Sequence, residues 1–239
     1  CLVAAVIAGV MLTPGVTVAL VLTALILLNA LNALARIAVL GAALRHQPSH
    51  QNAAAGCVPD STAPLSGPVP CFSILIPLLR EPEVLPLLVE ALERLDWPSE
   101  RLDVLLILEE GDTATTDALA AMQLPVFCRT LVIPAGSPRT KPRALNLALD
   151  FARGDVIGIY DAEDRPEPDQ LRRVAAMLAE STPDVACVQC RLSYYNPREN
   201  WLTRCFAIEY AMWFDVLIAG FSDLRLPIPL GGTSVFFRR

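Results

Sequence analysis

From Cys71 onward, short β-branched-rich apolar runs alternate with stretches of helical periodicity, and this alternation limits the fold more than any other feature. Residues 72–77 read as a strand. Residues 82–95 read as a helix, with Val84, Leu85, Leu88, Leu92 and Leu95 at helical spacing. The pattern continues as strand 104–108, helix 113–122, strand 126–133, helix 142–152, strand 156–160, helix 168–180 and strand 185–192. A longer aromatic-rich helix over 201–219 and a strand within 229–237 complete it. Parallel neighbours need a crossover, and a crossover helix buries its apolar stripe on the sheet. The expected fold class is therefore α/β, a mostly parallel sheet with helices on both faces.

The segment ahead of this domain is of another kind. Residues 1–44 carry a single charge, Arg36, and Thr13-Pro14-Gly15 interrupts them with a turn signal. The reading is a transmembrane helical hairpin over 1–44 with its first helix truncated. Residues 16–40 rise roughly 37 Å as a helix, enough to cross a bilayer with some tilt. No basic n-region or small-residue cleavage site frames a signal peptide. Asn29, Asn32 and Arg36 share one helix face, which can either snorkel to the interface, the favoured reading, or meet another membrane helix. Arg36 and Arg45 lie on the C-terminal side, so the positive-inside rule puts the rest in the cytoplasm of a multi-pass inner-membrane protein. Residues 45–70, rich in Pro, Ser, Ala and Gln, read as a flexible linker, and residues 71–239 as the globular domain. Both chain ends read as internal to a longer protein.

Charge and residue usage exclude several chemistries. The net charge is −6, and residues 1–70 contribute Arg36, Arg45 and Asp60, so 71–239 carry −7. An acidic domain is a poor nucleic-acid binder, and no nucleic-acid partner is expected. His46 and His50 both fall in the linker, so histidine catalysis is excluded from the domain. Cys187 and Cys190 have no second pair, and strand spacing puts them on opposite faces, against zinc or redox chemistry. There is no Gly-Lys-Ser/Thr phosphate loop and no Gly-x-Gly-x-x-Gly.

Three polar clusters end consecutive strands: Arg80-Glu81, Glu109-Glu110-Gly111-Asp112 and Asp161-Ala162-Glu163-Asp164. A parallel sheet brings such ends to one edge, where ligands of open α/β sheets bind. Read alone, the last cluster is equally a solvated acidic turn or a cation site. The basic run Arg139-Thr140-Lys141-Pro142-Arg143 opens the helix just before it, and that favours the second reading. Carboxylates can accept from a base edge and a ribose. Asp161 and Glu163 can hold Mg²⁺ or Mn²⁺, which takes one or two carboxylates with substrate phosphates. Lys141 and Arg143 can neutralise a diphosphate. The expected ligand is a nucleoside diphosphate with a metal.

With these motifs in order, residues 71–239 resemble the family-2 glycosyltransferases, membrane-bound and cellulose-synthase-like, with a GT-A fold. Phe72-Ser73-Ile74-Leu75-Ile76-Pro77 with Arg80-Glu81 resembles the family's opening strand and nucleotide loop. Glu109-Glu110-Gly111-Asp112 stands where the family has Asp-Asp-Gly-Ser, and Lys141-Pro142-Arg143-Ala144-Leu145-Asn146 resembles its Lys-x-x-Ala-Leu-Asn. Asp161-Ala162-Glu163 resembles its Asp-x-Asp; Val188-Gln189 and Gly231-Gly232-Thr233-Ser234 resemble its acceptor-side segments. The resemblance implies donor contacts from Pro77, Glu81, Glu110, Asp112, Lys141, Arg143, Asn146 and Asp161. It implies metal ligation by Asp161 and Glu163, and an acceptor site at Gln189, Gly232, Thr233 and Ser234. The family's catalytic base follows the Gly-Gly segment, so it is expected beyond Arg239. The implied activity is metal-dependent, inverting transfer of a sugar from a nucleotide-sugar, a UDP-sugar in this reading, to a polysaccharide, lipid or other acceptor. A nucleotidyltransferase of similar fold, releasing pyrophosphate instead of UDP, is an alternative. So is a non-catalytic membrane receptor or export scaffold that retains the nucleotide fold.

Overall fold

A computed structural model of the chain describes residues 13–45 and 69–239. They divide into two compact units, one within Cys1–Ala55 and Ser193–Ile228, the other within Gly56–Leu192 and Pro229–Arg239. The first segment of the expected hairpin and most of the expected linker lie outside the described residues.

In the first unit, Pro14–Arg45 forms one long helix, α1. The Pro14-Gly15 pair that reads as a turn opens this helix instead. Proline lacks only an N–H that the first turn cannot use, and the N–H of Thr17 reaches the carbonyl of Thr13 at 3.0 Å. The unit's second helical rod is not one regular helix as its periodicity predicts. It runs as α-helix Trp201–Ala211, a wider π-helical stretch Met212–Leu217 and α-helix Ile218–Asp223. Asn200 caps it, accepting from the N–H groups of Leu202 and Thr203, while Thr203 returns a hydroxyl contact to the backbone N–H of Asn200. Both rods are long and apolar enough to cross a membrane, over Pro14–Ala43 and Trp201–Ser222.

The second unit is built on a six-stranded sheet. Its strands are β1 Phe72–Leu78, β2 Leu102–Glu109, β3 Cys128–Ile133, β4 Val156–Ile159, β5 Cys187–Gln189 and β6 Val235–Arg238. Their order is β3-β2-β1-β4-β6-β5. β1 to β4 run parallel; β6 is antiparallel to both β4 and β5. The helices are α2 Leu85–Glu93, α3 Thr113–Ala120, α4 Lys141–Leu149 and α5 Gln170–Glu180, each shorter than its periodicity predicts. The expected mostly parallel α/β sheet with helices on both faces is the observed one.

Side-chain alternation divides the sheet between two cores. Phe72, Ile74 and Ile76 of β1 and Val104, Leu106 and Leu108 of β2 face Leu88 and Leu92 of α2 and Val174 and Leu178 of α5. Leu75, Leu105, Ile107 and Ile157 face Ala144 and Ala148 of α4 on the other side. Phe236 packs edge-on against Phe72 and Tyr160, with ring centroids 5.8 and 5.9 Å apart. Gly158 makes room for it, since a Cβ there would come within 2.7 Å of the Phe236 ring. Val235 pairs with Ile159, so the turn before β6 lies directly beside the end of β4.

Candidate active site

The site is built where β1, β2 and β4 end and β6 begins. After β1 the chain turns through Arg80, whose φ of 58° is left-handed. Its backbone N–H donates to Asp112 Oδ2 at 2.6 Å, and the N–H of Glu81 donates to Thr115 Oγ1 at 3.1 Å. The Thr115 hydroxyl in turn donates to Asp112 Oδ2 at 2.7 Å, and the Thr115 N–H reaches Oδ1 at 3.3 Å. Asp112 is thus the N-cap of α3 and the tie between the loops after β1 and β2. Burial opposes ionisation of Asp112, but the N–H of Arg80 and the hydroxyl and N–H of Thr115 outweigh it and hold the carboxyl below its ordinary range. With both oxygens engaged inside the protein, Asp112 shapes the loop after β1, holding Arg80 directly and Glu81 through Thr115.

Glu81 is half-buried and its carboxyl lies above the ordinary range. Burial is the main cause; the carboxylates of Glu163, Asp161 and Asp112 push the same way, against a backbone hydrogen bond at Leu79. The three acidic strand ends do face one another, as their topology predicts. A carboxyl with a raised folded pKa contributes stability below the ordinary Glu range near 4.3, and that contribution is lost as pH rises through the folded value. Glu81→Gln should therefore melt higher than the parent without ligand, with a margin that grows from pH 4 toward neutrality. A constant margin across that range, followed by circular dichroism, would show that Glu81 does not carry the repulsion.

The end of β2 separates two adjacent glutamates. Glu109 is buried and pairs with Arg139 Nε at 3.2 Å and Arg143 at 3.5 Å. Its Oε2 has no aligned hydrogen bond, so charge rather than a directed bond holds it to Arg139. Exposed Glu110 accepts the N–H of Ala135, at 3.3 Å. Arg143 also donates to the carbonyl of Pro134 at 2.7 Å. It is therefore anchored to Glu109 and the loop after β3.

Lys141 opens α4 and lies at the centre of the site. Its Nζ donates to Asp161 Oδ1 and, at 2.6 Å, to the carbonyl of Gly232. One ammonium group thus joins the acidic end of β4 to the turn before β6. The backbone N–H of Asp161 is held by Asp164 Oδ2 at 2.8 Å and by Thr233 Oγ1 at 3.0 Å, and the Thr233 hydroxyl donates to that same Asp164 oxygen. Burial raises the Asp164 carboxyl, against the lowering effect of those two hydrogen bonds. Asp164 therefore stiffens the acidic turn from within while Asp161 and exposed Glu163 face outward.

The turn before β6 is equally constrained. Gln189 Oε1 accepts the N–H of Gly231 at 2.7 Å, and its Nε2 donates to the carbonyls of Cys190, Thr233 and Ser234 at 3.0, 3.1 and 3.3 Å. Ser234 has a left-handed φ of 49°, fixed by its N–H on the carbonyl of Ile159 at 2.7 Å. Such a conformation costs on the order of 1–3 kcal/mol and persists only where its surroundings over-determine it. Beside the turn, an apolar cavity of about 520 Å³ is lined by Asn146 and Leu149 of α4, Ile159, Gly231, Gly232 and Phe237. Pro77, in β1, is partly exposed. Burial pushes the Cys190 thiol up to about 12, so it is not the reactive thiolate a redox role would need.

Among the described residues no three metal-binding side chains converge. Mg²⁺ or Mn²⁺ needs only one or two carboxylates, with substrate phosphate and water supplying the rest. The half-buried carboxylate of Asp161, already turned to the Lys141 ammonium, could hold such an ion, with Glu163 beside it in sequence. Bound there, the ion would neutralise negative charge on a leaving diphosphate.

Four contributors were not among the expected site residues. Thr115 and Asp164 tie loops together, and Arg139 with Glu109 balances charge at the rim. Asp112-x-x-Thr115 has N-cap spacing, and strand parity places Glu109 on the face of Leu105 and Ile107, which α4 covers. Those signals were present in the sequence. The contact of Asp164 with Thr233 spans 69 positions, and no local pattern carries it.

Residues 73–239 match the family model described as Glycosyl transferase family 2. The beta-monoglucosyldiacylglycerol synthase of Synechocystis sp. is 28% identical over 165 residues, covering 66% of this chain and 34% of its own. The enzyme of the same name from Trichormus variabilis is 27% identical over 185 residues, covering 73% of this chain and 37% of its own. The chain thus spans about a third of the length of these relatives. The mannosyltransferase PcManGT from Pyrobaculum calidifontis, solved with GDP-Man and Mn2+, superposes with a TM-score of 0.57 at 23% identity over 74% of this chain and 47% of its own. That likeness establishes the fold, and the family model establishes the lineage: the chain belongs to glycosyltransferase family 2.

Proposed function

We propose that the protein transfers a sugar from a nucleotide-sugar, a UDP-sugar by preference, to a glycan or lipid acceptor at the cytoplasmic face of the inner membrane. α1 anchors it there as part of a multi-pass protein. Glu81 and Glu110 meet the base, and Asp161 meets the ribose and a Mg²⁺ or Mn²⁺ ion shared with Glu163. Lys141 and Arg143 neutralise the diphosphate, Asn146 supports the donor, and Gln189, Gly232, Thr233 and Ser234 form the acceptor wall. The observation that carries this reading is the contact of Lys141 with both Asp161 and Gly232, which joins the donor carboxylate and the acceptor turn through one cation. An acceptor hydroxyl that gives its proton to a general base and attacks the anomeric carbon in line, as the bond to the diphosphate breaks, would invert that carbon, and the cations would stabilise the departing diphosphate.

The test uses the full-length protein in proteoliposomes with a radiolabelled UDP-sugar and extracted membrane lipid as acceptor. The expected result is labelled lipid or glycan together with free UDP. Chelation should lower the rate at least about 100-fold, with Mn²⁺ or Mg²⁺ restoring it. Pyrophosphate as product would reassign the protein as a nucleotidyltransferase, and transfer untouched by chelation would remove the metal. Competition between unlabelled UDP and GDP reads the nucleotide preference directly.

A further inference from the structure

The acidic turn after β4 and the turn before β6 are tied together in two ways, and the ties differ in kind. One belongs to the fold. The Thr233 hydroxyl donates to Asp164 Oδ2, while the Asp161 N–H donates to that oxygen at 2.8 Å and to Thr233 Oγ1 at 3.0 Å. The other runs through a mobile charge. The Lys141 ammonium donates to Asp161 Oδ1 and, at 2.6 Å, to the carbonyl of Gly232. The Lys141 and Asp161 side chains are 29% and 34% exposed. An ion pair open to water is worth little and exchanges its partners readily.

The ammonium cannot leave without a replacement. Glu81 faces both Asp161 and Glu163, and removing Lys141 alone would leave these carboxylates to repel one another. A divalent ion on Asp161 is a replacement, but it sets two cations on one carboxylate, and they repel. The ammonium then follows the negative charge that arrives with the ion. A diphosphate at the start of α4 supplies that charge, and it offsets an ammonium that the helix dipole disfavours at this end. The move strips the Gly232 carbonyl of its donor. The turn keeps its shape, because Gln189 bonds to Gly231, Cys190, Thr233 and Ser234 and passes over Gly232. Space beside Gly232 is open, since a Cβ there would meet nothing within 4 Å. A bare carbonyl on such a turn accepts a hydrogen bond from an incoming hydroxyl.

We propose that Lys141 is an exchangeable counter-ion. In the donor-free protein it holds the cation position on Asp161; a divalent ion arriving with a nucleoside diphosphate displaces it and frees the Gly232 carbonyl for the acceptor hydroxyl. This rests on the reading of Asp161 as the residue that holds the metal. Two measurements on the full-length protein in detergent test it. The first is Mn²⁺ binding without nucleotide, followed by loss of the free-ion paramagnetic resonance signal. It should tighten roughly tenfold in Lys141→Met and stay at the parental value in Lys141→Arg, which keeps the charge. The second follows the Gly232 carbonyl by ¹³C-glycine and ¹⁵N-threonine labelling, its peak assigned by loss in Thr233→Ser. That carbonyl should shift upfield when Mn²⁺ and UDP are added together to the parent. In ligand-free Lys141→Met it should already lie at the shifted position. Unchanged Mn²⁺ affinity in Lys141→Met would overturn the exchange and leave Asp161 with the metal. So would a Gly232 carbonyl unmoved in the parent while calorimetry shows Mn²⁺ and UDP bound. Binding of Mn²⁺ and UDP untouched by Asp161→Asn would instead overturn the reading of the site, and the exchange with it.

Discussion

Asp161→Asn should lower sugar transfer by the full-length protein about 10²–10³-fold and remove Mn²⁺-dependent UDP binding measured by calorimetry. Asparagine keeps the size of the side chain and loses its charge. The fold should tolerate the change, because the contacts that hold this turn run through the Asp161 backbone N–H to Asp164 and Thr233. A melting temperature within a few degrees of the parent would separate loss of ligand from loss of structure. Lys141 would keep the Gly232 carbonyl and lose its carboxylate. Glu163→Gln should have a smaller effect, roughly tenfold, since an exposed carboxylate gives up less on losing its charge. Mn²⁺-dependent UDP binding unchanged in Asp161→Asn would end the assignment of this residue to the metal.

Asp112→Ala should be the most destabilising single change at the site, by about 3 kcal/mol. Roughly 1 of that is the lost N-cap, and the rest is the charged acceptor withdrawn from the N–H of Arg80 and the hydroxyl of Thr115. For a unit of this size that lowers the melting temperature by roughly 6–12 °C. Arg80 is the sensitive partner, because its left-handed backbone is held by that bond. Donor binding should weaken as well, through a loosened Glu81. The pH dependence has a definite sign. A carboxyl whose folded pKa is depressed contributes stability above the ordinary Asp value near 3.9, and loses it as pH falls through the folded value. The penalty of Asp112→Ala should accordingly shrink on acidification below pH 4. A penalty that persists unchanged there would show that the ionised carboxylate is not what ties the two loops.

What could be read from the chain alone was whatever rests on local pattern. The β-branched runs of β1, β2 and β4 and the Leu85–Leu88–Leu92 stripe of α2 are local, and they appear where periodicity puts them. The convergence of Glu81, Asp161 and Glu163 followed from parallel topology without knowledge of strand order. Strand order itself, and the antiparallel β6 between β4 and β5, depend on pairings distant in sequence. The roles of individual polar residues were harder still. A carboxylate in an acidic cluster reads the same whether it meets solvent, a ligand or a backbone N–H. Asp112 and Asp161 are alike in sequence context, yet one is bonded to a backbone N–H and a hydroxyl and the other to the Lys141 ammonium. Arg139, Lys141 and Arg143 read as one basic run, and the fold sends Lys141 to Asp161 and the two arginines to Glu109.

The four contacts of Gln189 also fix what evolution can write at that position. Glutamate would set a carboxylate oxygen against three carbonyl oxygens. Lysine could donate to those carbonyls but could not accept from Gly231. Asparagine has both functions and is one methylene too short to span the turn. Of these four residues, glutamine alone meets all the contacts at position 189. Sequence drift in this protein should leave it untouched even where the apolar residues around it exchange freely.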